Sequence, residues 1–427
     1  MTLLVDPMTG VVRRLVDVAP VTGVPRRYRA VTAEVADARR LGVWPADRVS
    51  LGTSFGDVDA ARAAAVGEAV ERYCGNRVPP GLRHATPAEL AAEGARHFGP
   101  ADLPFFADRQ YETPGFPYRR FTDDTRIAWV EGEEDGEACL LPASWVHLNY
   151  HSGARRAEPR LHHLNYAGIA TGVSAQDAFT RALLELVERD ALERWWHLDA
   201  PTTGIAVGDV PGLAAELAGC PLEVHLVELP TEHPVWCVGA VVVDRATGIV
   251  AGGGAARFDP AEACTKAVLE AVHTWIFTQG LLAPDGWVFE SISAGILAEG
   301  LYLDHRADRR YRDDVGEHFA AVRDLGAQVQ VWLDPRVQDE LLHRFTRPER
   351  MVALEPRGDL ADLRASLSGN RIATADLTTP DVAEAGLRVV RVCATGLVPN
   401  APAAFRYLGL PRWGDPARVL LDPPPFL

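Results

Sequence analysis

The feature that most constrains this chain is a segment written three times. Aligned at a glutamate, residues 61–72 (ARAAAVGEAVER), 178–189 (AFTRALLELVER) and 263–274 (ACTKAVLEAVHT) match at fixed places. Ala61, Ala178 and Ala263 stand seven positions before the aligned glutamate, Ala65, Ala182 and Ala267 three before it, and Val70, Val187 and Val272 two after it. A glycine-containing stretch precedes each copy, at 52–56, 168–172 and 252–254. The repeating unit is a glycine loop, a helix with a small-residue face, and a carboxylate, and the fold must seat three of them.

Residues three or four apart share a helical face, so Glu68 stacks on Glu71 and Glu185 on Glu188, one turn apart. Like charges this close repel. The alanines lie on roughly the same face and leave room for another backbone or a ligand. Two such helices offer four hard oxygen donors, which suits Mg2+, an ion that takes carboxylates together with substrate phosphates. The third copy supplies only Glu270, with His273 in place of the second acid. A lone Glu-x-x-Glu-Arg is ordinary on a solvated face. Finding it twice, followed by Arg72 and by Arg189, is not, and those arginines suit either neutralising the acids or holding phosphate oxygens.

Around the repeats the chain alternates two kinds of segment. Apolar runs at 222–229, 235–243, 327–333 and 387–393 read as strands, and segments 58–73, 175–196, 260–278 and 314–325 carry helical spacing. The expectation is an α/β protein with mixed sheets. Residues 76–125 read as an irregular excursion with short helices, and no low-complexity linker divides residues 1–427, which are expected to form a single domain ending in a proline-rich tail at 423–427. With 47% hydrophobic and 24% charged residues the composition is that of a globular protein. The balance of 43 basic and 58 acidic residues, −15 overall, argues against a general grip on nucleic acid or an anionic membrane. The six cysteines are scattered without a C-x-x-C pair and read as reduced thiols. No run approaches the roughly 18–20 apolar residues of a membrane span, so the chain is expected to be soluble and cytoplasmic.

Two rival constellations compete with the glutamates. Gly52-Thr53-Ser54-Phe55-Gly56 matches the G-x-S-x-G nucleophile elbow, which would make Ser54 a hydrolase nucleophile. Only 53 residues precede it, too few for the hydrolase sheet, and the repeats would go unexplained. His147 and His151 are spaced i, i+4 with His162 and His163 nearby, but Asn149, Ser152 and Gly153 oppose a helix there. The chain has neither a P-loop nor a dinucleotide-binding glycine turn.

At these residues the chain resembles the YcaO family, and within it the azoline-forming cyclodehydratases of ribosomal peptide biosynthesis. The resemblance runs through 52–75 (GTSFGDVDAARAAAVGEAVERYCG), 165–191 (NYAGIATGVSAQDAFTRALLELVERDA), 259–273 (DPAEACTKAVLEAVH), 376–399 (DLTTPDVAEAGLRVVRVCATGLVP), 407–413 (YLGLPRW) and the tail. It implies a YcaO-type fold in which repeated glycine-loop and helix units pack on mixed sheets. It implies ATP and Mg2+ as cofactors, with Glu68, Glu71, Glu185 and Glu188 holding the metal. Arg189, His273 and Leu427 would then serve catalysis, and Ser54, Arg72, Asn165, Lys266 and Glu270 the nucleotide. Lys266 stands where an arginine is usual, His273 where glutamine is common, and Thr395-Gly396-Leu397 replaces Pro-Gly-Leu.

The resemblance further implies a reaction. A Cys, Ser or Thr side chain of a precursor peptide adds to the preceding backbone carbonyl, the resulting oxyanion is phosphorylated, and loss of phosphate leaves thiazoline or oxazoline. Thioamide- or amidine-forming relatives and a non-catalytic scaffold subunit remain alternatives. The implied partners are the precursor peptide, a separate ThiF-like leader-binding protein and a second copy of the chain. The rigid tail is expected to dock at the active site and to matter more to chemistry than to stability.

Overall fold

The computed structural model describes residues 2–38 and 49–427. Its three long helices, Val58–Asn76, Ala175–His197 and Pro260–Gln279, are the three repeats. Each starts at a side-chain cap. Asp57 accepts from the amides of Asp59 and Ala60, Ser174 from Asp177, and Asp259 from Glu262, with Pro260 in the first turn of the third helix. These caps satisfy amides that a helix start leaves open.

The strands in chain order are β1 (Val12–Asp17), β2 (Tyr28–Val35), β3 (Val49–Phe55), β4 (Arg83–Ala85), β5 (Ile127–Glu134), β6 (Glu137–Pro142), β7 (Ile169–Gly172), β8 (Thr203–Ile205), β9 (Glu223–Glu228), β10 (Trp236–Asp244), β11 (Ile249–Arg257), β12 (Arg350–Met351), β13 (Ile372–Asp376) and β14 (Arg388–Ala394). They form three sheets, ordered β1-β2-β3, β4-β5-β13-β14-β7 with β6 beside β5, and β11-β10-β9-β8-β12. Their pairs are antiparallel apart from β8 with β12.

Each repeat helix packs on the strand just before it: the first on β3, the second on β7, the third on β11. Each also packs on the strand of the following unit, the first on β7, the second on β11 and the third back on β3. Three strand-and-helix units therefore close into a ring.

The glycines make that closeness possible. A Cβ on Gly52 would lie 1.9 Å from the Ala61 carbonyl oxygen, one on Gly172 2.3 Å from Ala178 N, and one on Gly253 2.2 Å from Ala271 N. Strand and helix backbones touch at these points, and Ala61, Ala65, Ala178, Ala267 and Ala271 are the fully buried helix side of the contact. The structure thus corrects the reading of glycine loops: Gly52, Gly172 and Gly252–Gly254 are strand residues, and the small helix face meets backbone rather than ligand. Gly56 and Gly168, with φ of 77° and 88°, form the turns at the strand ends.

Strands β9, β10 and β14 lie within one residue of the expected 222–229, 235–243 and 387–393. Two other expectations fail. Residues 327–331 belong to a helix, Leu325–Val331, capped by Asp324, with Trp332 and Leu333 turning out of its end; its alternating glutamines are buried and Gln330 exchanges hydrogen bonds with the Leu303 backbone at 2.9 and 2.7 Å. Residues 314–324 contain only a 3-10 turn, Glu317–Phe319, with His318 and Phe319 at φ of 52° and 60°, and Leu325 already opens the next helix. The 76–125 stretch holds β4 and the short helices Pro87–Ala92 and Asp108–Tyr111.

The proline tail is an inside element. Trp196 Nε1 donates to Asp422 O at 2.7 Å, Trp332 Nε1 to Pro423 O at 2.8 Å, and Gly252 N to Pro425 O at 2.6 Å. Phe426, 3% exposed, packs 6.2 Å from the Phe345 ring within the larger apolar core. The six cysteines are free, and no helix among the described residues is long and apolar enough to cross a membrane.

Candidate functional site

The ring sets the charged residues of each helix against those of the next. Glu68 bridges back to its own strand, accepting from Leu51 N at 3.1 Å while Arg72 approaches its other oxygen at 3.3 Å. Glu185 does the same in the second unit, accepting from Gly168 N at 3.0 Å with Arg189 at 3.8 Å. Glu188 reaches forward to the third unit, accepting from Ala256 N in β11 at 3.1 Å, and Arg189 lies 3.6 Å from its free oxygen. A Cβ on Gly254 would stand 2.8 Å from Glu188 Oε1, so a bare glycine is what admits this carboxylate.

Electrostatically the centre is frustrated. Burial pushes the Glu71 carboxyl up to about 8, and the charges of Glu185 and Glu68 add to the rise while Arg72 opposes it. Glu185 is raised by burial and by Glu188, against Arg189. Arg189 holds its proton more firmly than usual, because Glu188, Glu185 and Glu270 together outweigh its burial. Its Nε is buried with no hydrogen-bond partner. A site with crowded, partly neutralised carboxyls and an unsatisfied guanidinium nitrogen has room in its charge balance for both a cation and an anion.

The third unit behaves differently. Glu270 pairs with Lys266 on its own helix, and His273 stands 3.9 Å away. Burial would raise the Glu270 carboxyl, but Lys266 and His273 hold it well below the usual carboxylate range. Asn165, 5% exposed, turns its Oδ1 to Ala167 N at 3.1 Å. Ser54 lies within β3 and donates its hydroxyl to the Asp57 carbonyl, and among the described residues no histidine hydrogen-bonds it as a base would. Leu427 packs against the larger core. Gly252 touches Phe426 and Gly254 touches Glu188, and these glycines share one face of β11, so the tail ends roughly 7 Å along the strand from that carboxylate.

The histidines form no helical pair, since the short helix Ala143–Val146 ends before His147. Burial pushes His147 and His163 down to about 4 and His162 to about 3. Among the described residues no group of three or more His, Cys, Asp or Glu side chains is arranged to hold a metal ion. That sets the histidine cluster aside as a metal site. The same holds for the glutamates as they stand here, no three of which converge as a metal site; Mg2+ is ordinarily bound by one or two carboxylates together with phosphate and water.

Three residues of this centre escaped the sequence reading. The Arg72 guanidinium sits 4.3 Å over the Tyr166 ring. Arg391, 1% exposed, fixes the backbone there by donating to the carbonyls of Trp145, Asn165 and Tyr166 at 2.8, 3.0 and 3.3 Å. Tyr28, at the start of β2, buries its hydroxyl in the field of Glu270. Tyr166 was within reach as the neighbour of Asn165, whereas Tyr28 and Arg391 come from strands that no spacing links to the repeats.

Residues 56–398 match the model of a protein family described as YcaO cyclodehydratase, ATP- and Mg2+-binding. Among solved structures the fold is similar to a heterocyclase in complex with substrate and cofactor, at 18% identity and a TM-score of 0.68, covering 99% of this chain and 56% of that one. It is similar to YcaO from Methanopyrus kandleri bound with AMPPCP and Mg2+, at 18% identity and a TM-score of 0.55, covering 91% and 86%. It is also similar to the E. coli microcin synthetase McbBCD complex with pro-MccB17 bound, at 14% identity and a TM-score of 0.58, covering 92% and 90%. The chain thus spans just over half the length of the first heterocyclase, and at these identities the likeness is one of fold. No curated protein sequence matches it significantly.

Proposed function

Because the chain belongs to the YcaO family, whose members bind ATP and Mg2+, we propose that it is a peptide cyclodehydratase, converting Cys, Ser or Thr of a precursor peptide to thiazoline or oxazoline. The observation that carries the reading is that the ring brings Glu71 of the first repeat helix into the field of Glu185 of the second, with Arg72 and Arg189 each beside the acids of its own helix. Bound Mg2+ and ATP would supply the phosphoryl group that turns a poor oxyanion leaving group into phosphate.

The chain's own residues then have definable tasks. The four glutamates would share the metal. Arg189, with its unsatisfied Nε, and Arg72, held over the Tyr166 ring, would face phosphate oxygens and offset charge as it moves. Asn165 and Lys266 would border the nucleotide, with Glu270 fixing the direction of Lys266. Ser54 would contribute by holding the Asp57 turn, and His273 and Leu427 by lining the approach. The peptide side chain adds to the carbonyl carbon, its proton leaves, and the carbonyl oxygen departs as phosphate with the amide proton lost. The net change is one water per ring.

The same proposal has the chain act with a separate leader-binding protein of the ThiF-like kind and as a pair of copies. Support for a separate partner is that the similar McbBCD is a complex bound with pro-MccB17. The deciding experiment is co-expression with the precursor peptide of its gene neighbourhood, followed by mass spectrometry. Loss of one water per modified residue, abolished by Glu185→Gln, is expected. Replacement of oxygen by sulfur would identify a thioamide former instead, and an unchanged peptide with all partners present would refute the assignment.

A further inference from the structure

Away from the glutamates lies a cavity of about 970 Å3, at the upper end of ordinary ligand sites. Its charge runs against that of the whole chain. Arg109, Arg160, Arg323 and Arg406 line it, and Glu317 is the one acidic residue of the lining among the described residues. The molecule as a whole carries −15. Arg160 and Arg323 are exposed at its edge, Arg323 held by a hydrogen bond from its Nε to Ala320 O at 3.1 Å, and Arg406 is buried, 2% exposed, donating to Leu421 O at 3.2 Å. Its apolar wall is aromatic. Tyr118 lies edge-on to Phe405 at 5.2 Å and to Phe116 at 5.5 Å, and its hydroxyl meets His163 Nδ1 at 2.9 Å. Burial keeps His147, His162 and His163 uncharged at neutral pH, so the fixed positive charge of the lining is that of the arginines.

The cavity is also connected. Leu421 forms part of its wall, and the next residues are the tail that Trp196, Trp332 and Gly252 hold in place up to Phe426. From Leu421 to Leu427 the chain covers at most roughly 20 Å and ends on the face of β11 against which Glu188 of the second repeat helix lies. The tail thus joins the cavity wall to the strand that Glu188 abuts.

We infer that this cavity holds an acidic segment of the peptide substrate, a few residues away from the one that reacts. The inference rests on the proposed peptide chemistry and adds where, and by what charge, the peptide is gripped. Arginines match carboxylates in pairs of parallel hydrogen bonds, and the aromatic wall takes interleaved apolar side chains. A single small anion would fill little of the space. Nucleic acid is disfavoured by the acidity of the rest of the surface.

The test is fluorescence anisotropy with a fluorescein-labelled octapeptide, Gly-Glu-Phe-Glu-Gly-Glu-Phe-Glu, and its counterpart with glutamine for each glutamate. The acidic peptide should bind at least about tenfold more tightly than the neutral one. The double variant Arg160→Glu/Arg323→Glu should lose at least about tenfold toward the acidic peptide only, with its circular dichroism and its Mg2+-AMPPCP affinity unchanged. Equal binding of the two peptides, or full affinity in the double variant, overturns the inference. So does displacement of the octapeptide by citrate as effectively as by an unlabelled octapeptide, which would mark a small-anion site. The two readings fail separately. Absent Mg2+-AMPPCP binding in the unaltered chain would remove the nucleotide chemistry, whereas the anisotropy result would remove only the peptide cavity.

Discussion

Glu68 and Glu185 do the same thing in two different units: each accepts a hydrogen bond from the backbone amide seventeen residues before it, Leu51 N at 3.1 Å and Gly168 N at 3.0 Å. One carboxylate oxygen of each thus ties a helix to its strand and leaves the other for the arginine four residues on. The third equivalent, Glu270, gives itself to Lys266 instead. The backbone ring repeats three times, but the charge repeats only twice, and the centre is acidic on two sides and neutralised on the third.

That asymmetry predicts which residues the metal needs. Glu185→Gln keeps an acceptor for Gly168 N but removes the charge, so the helix should stay seated. Calorimetric titration with Mg2+ and AMPPCP should show affinity reduced by at least about tenfold, and Glu68→Gln should behave alike. Undiminished affinity in both variants would remove the metal assignment.

The glycine contacts predict opposite outcomes for two similar substitutions. Gly253→Ala places a methyl 2.2 Å from Ala271 N and should destabilise by about 3 kcal/mol, because backbone must move. Gly67→Ala, in the middle of the first repeat helix, meets nothing within 4 Å and should stabilise by about 0.5–1 kcal/mol. Urea melts of both variants check this, and equal midpoints would contradict the close strand-to-helix packing.

For the tail, the structure changes the expectation that chemistry outranks stability. Phe426→Ala empties a core position and should cost about 3–5 kcal/mol. Removing Leu427 alone leaves Phe426 and the three backbone anchors in place. A fall in peptide turnover without a fall in melting temperature would then locate a chemical contribution at the last residue, and an unchanged rate would confine the tail to packing.

Buried neutral histidines give acid sensitivity of definite sign. His147 and His163 sit near 4 and His162 near 3, below the 6.5 of an exposed imidazole. The unfolded chain binds protons first as pH falls, so their contribution to stability is whole above about 6.5 and drains away toward about 4. Between pH 7 and pH 5 the urea midpoint of His147→Leu should therefore fall less than that of the unaltered chain. Identical slopes would mean that His147 is not held neutral by burial.

Much of this centre was legible because the repeats write it in one-dimensional spacing: a glutamate three residues from another, with alanines a turn and two turns before. The glycine stretches were visible too, but their meaning was not. A glycine that turns a chain and one that lets a helix lie against a strand look alike until the partner backbone is in place. The AQVQVWL segment misled for a related reason, since its alternation mimics a half-buried strand while Gln330 is in truth satisfied inside by Leu303. The signals that decide it, Asp324 as cap and Asp334-Pro335 as the next helix start, lie outside the run. Tyr28 and Arg391 reach the centre through long-range sheet pairing, and the cavity is walled by loops from distant parts of the chain, so none of them carries a local mark.

The closing contact of the ring has a further consequence, in time rather than space. The third repeat helix packs on β3, about 200 residues earlier in the chain, and until it does the first unit lacks its last neighbour. Contacts of such sequence separation form late, after the loop-closure entropy has been overcome. A nascent chain that has emerged only as far as β10 has made all four acidic residues of the first two repeats but has nothing to hold Glu188, whose amide partner lies in β11. The hydrogen bond that seats Glu188, and with it the closing of the ring, therefore waits on the part of the chain that carries β11.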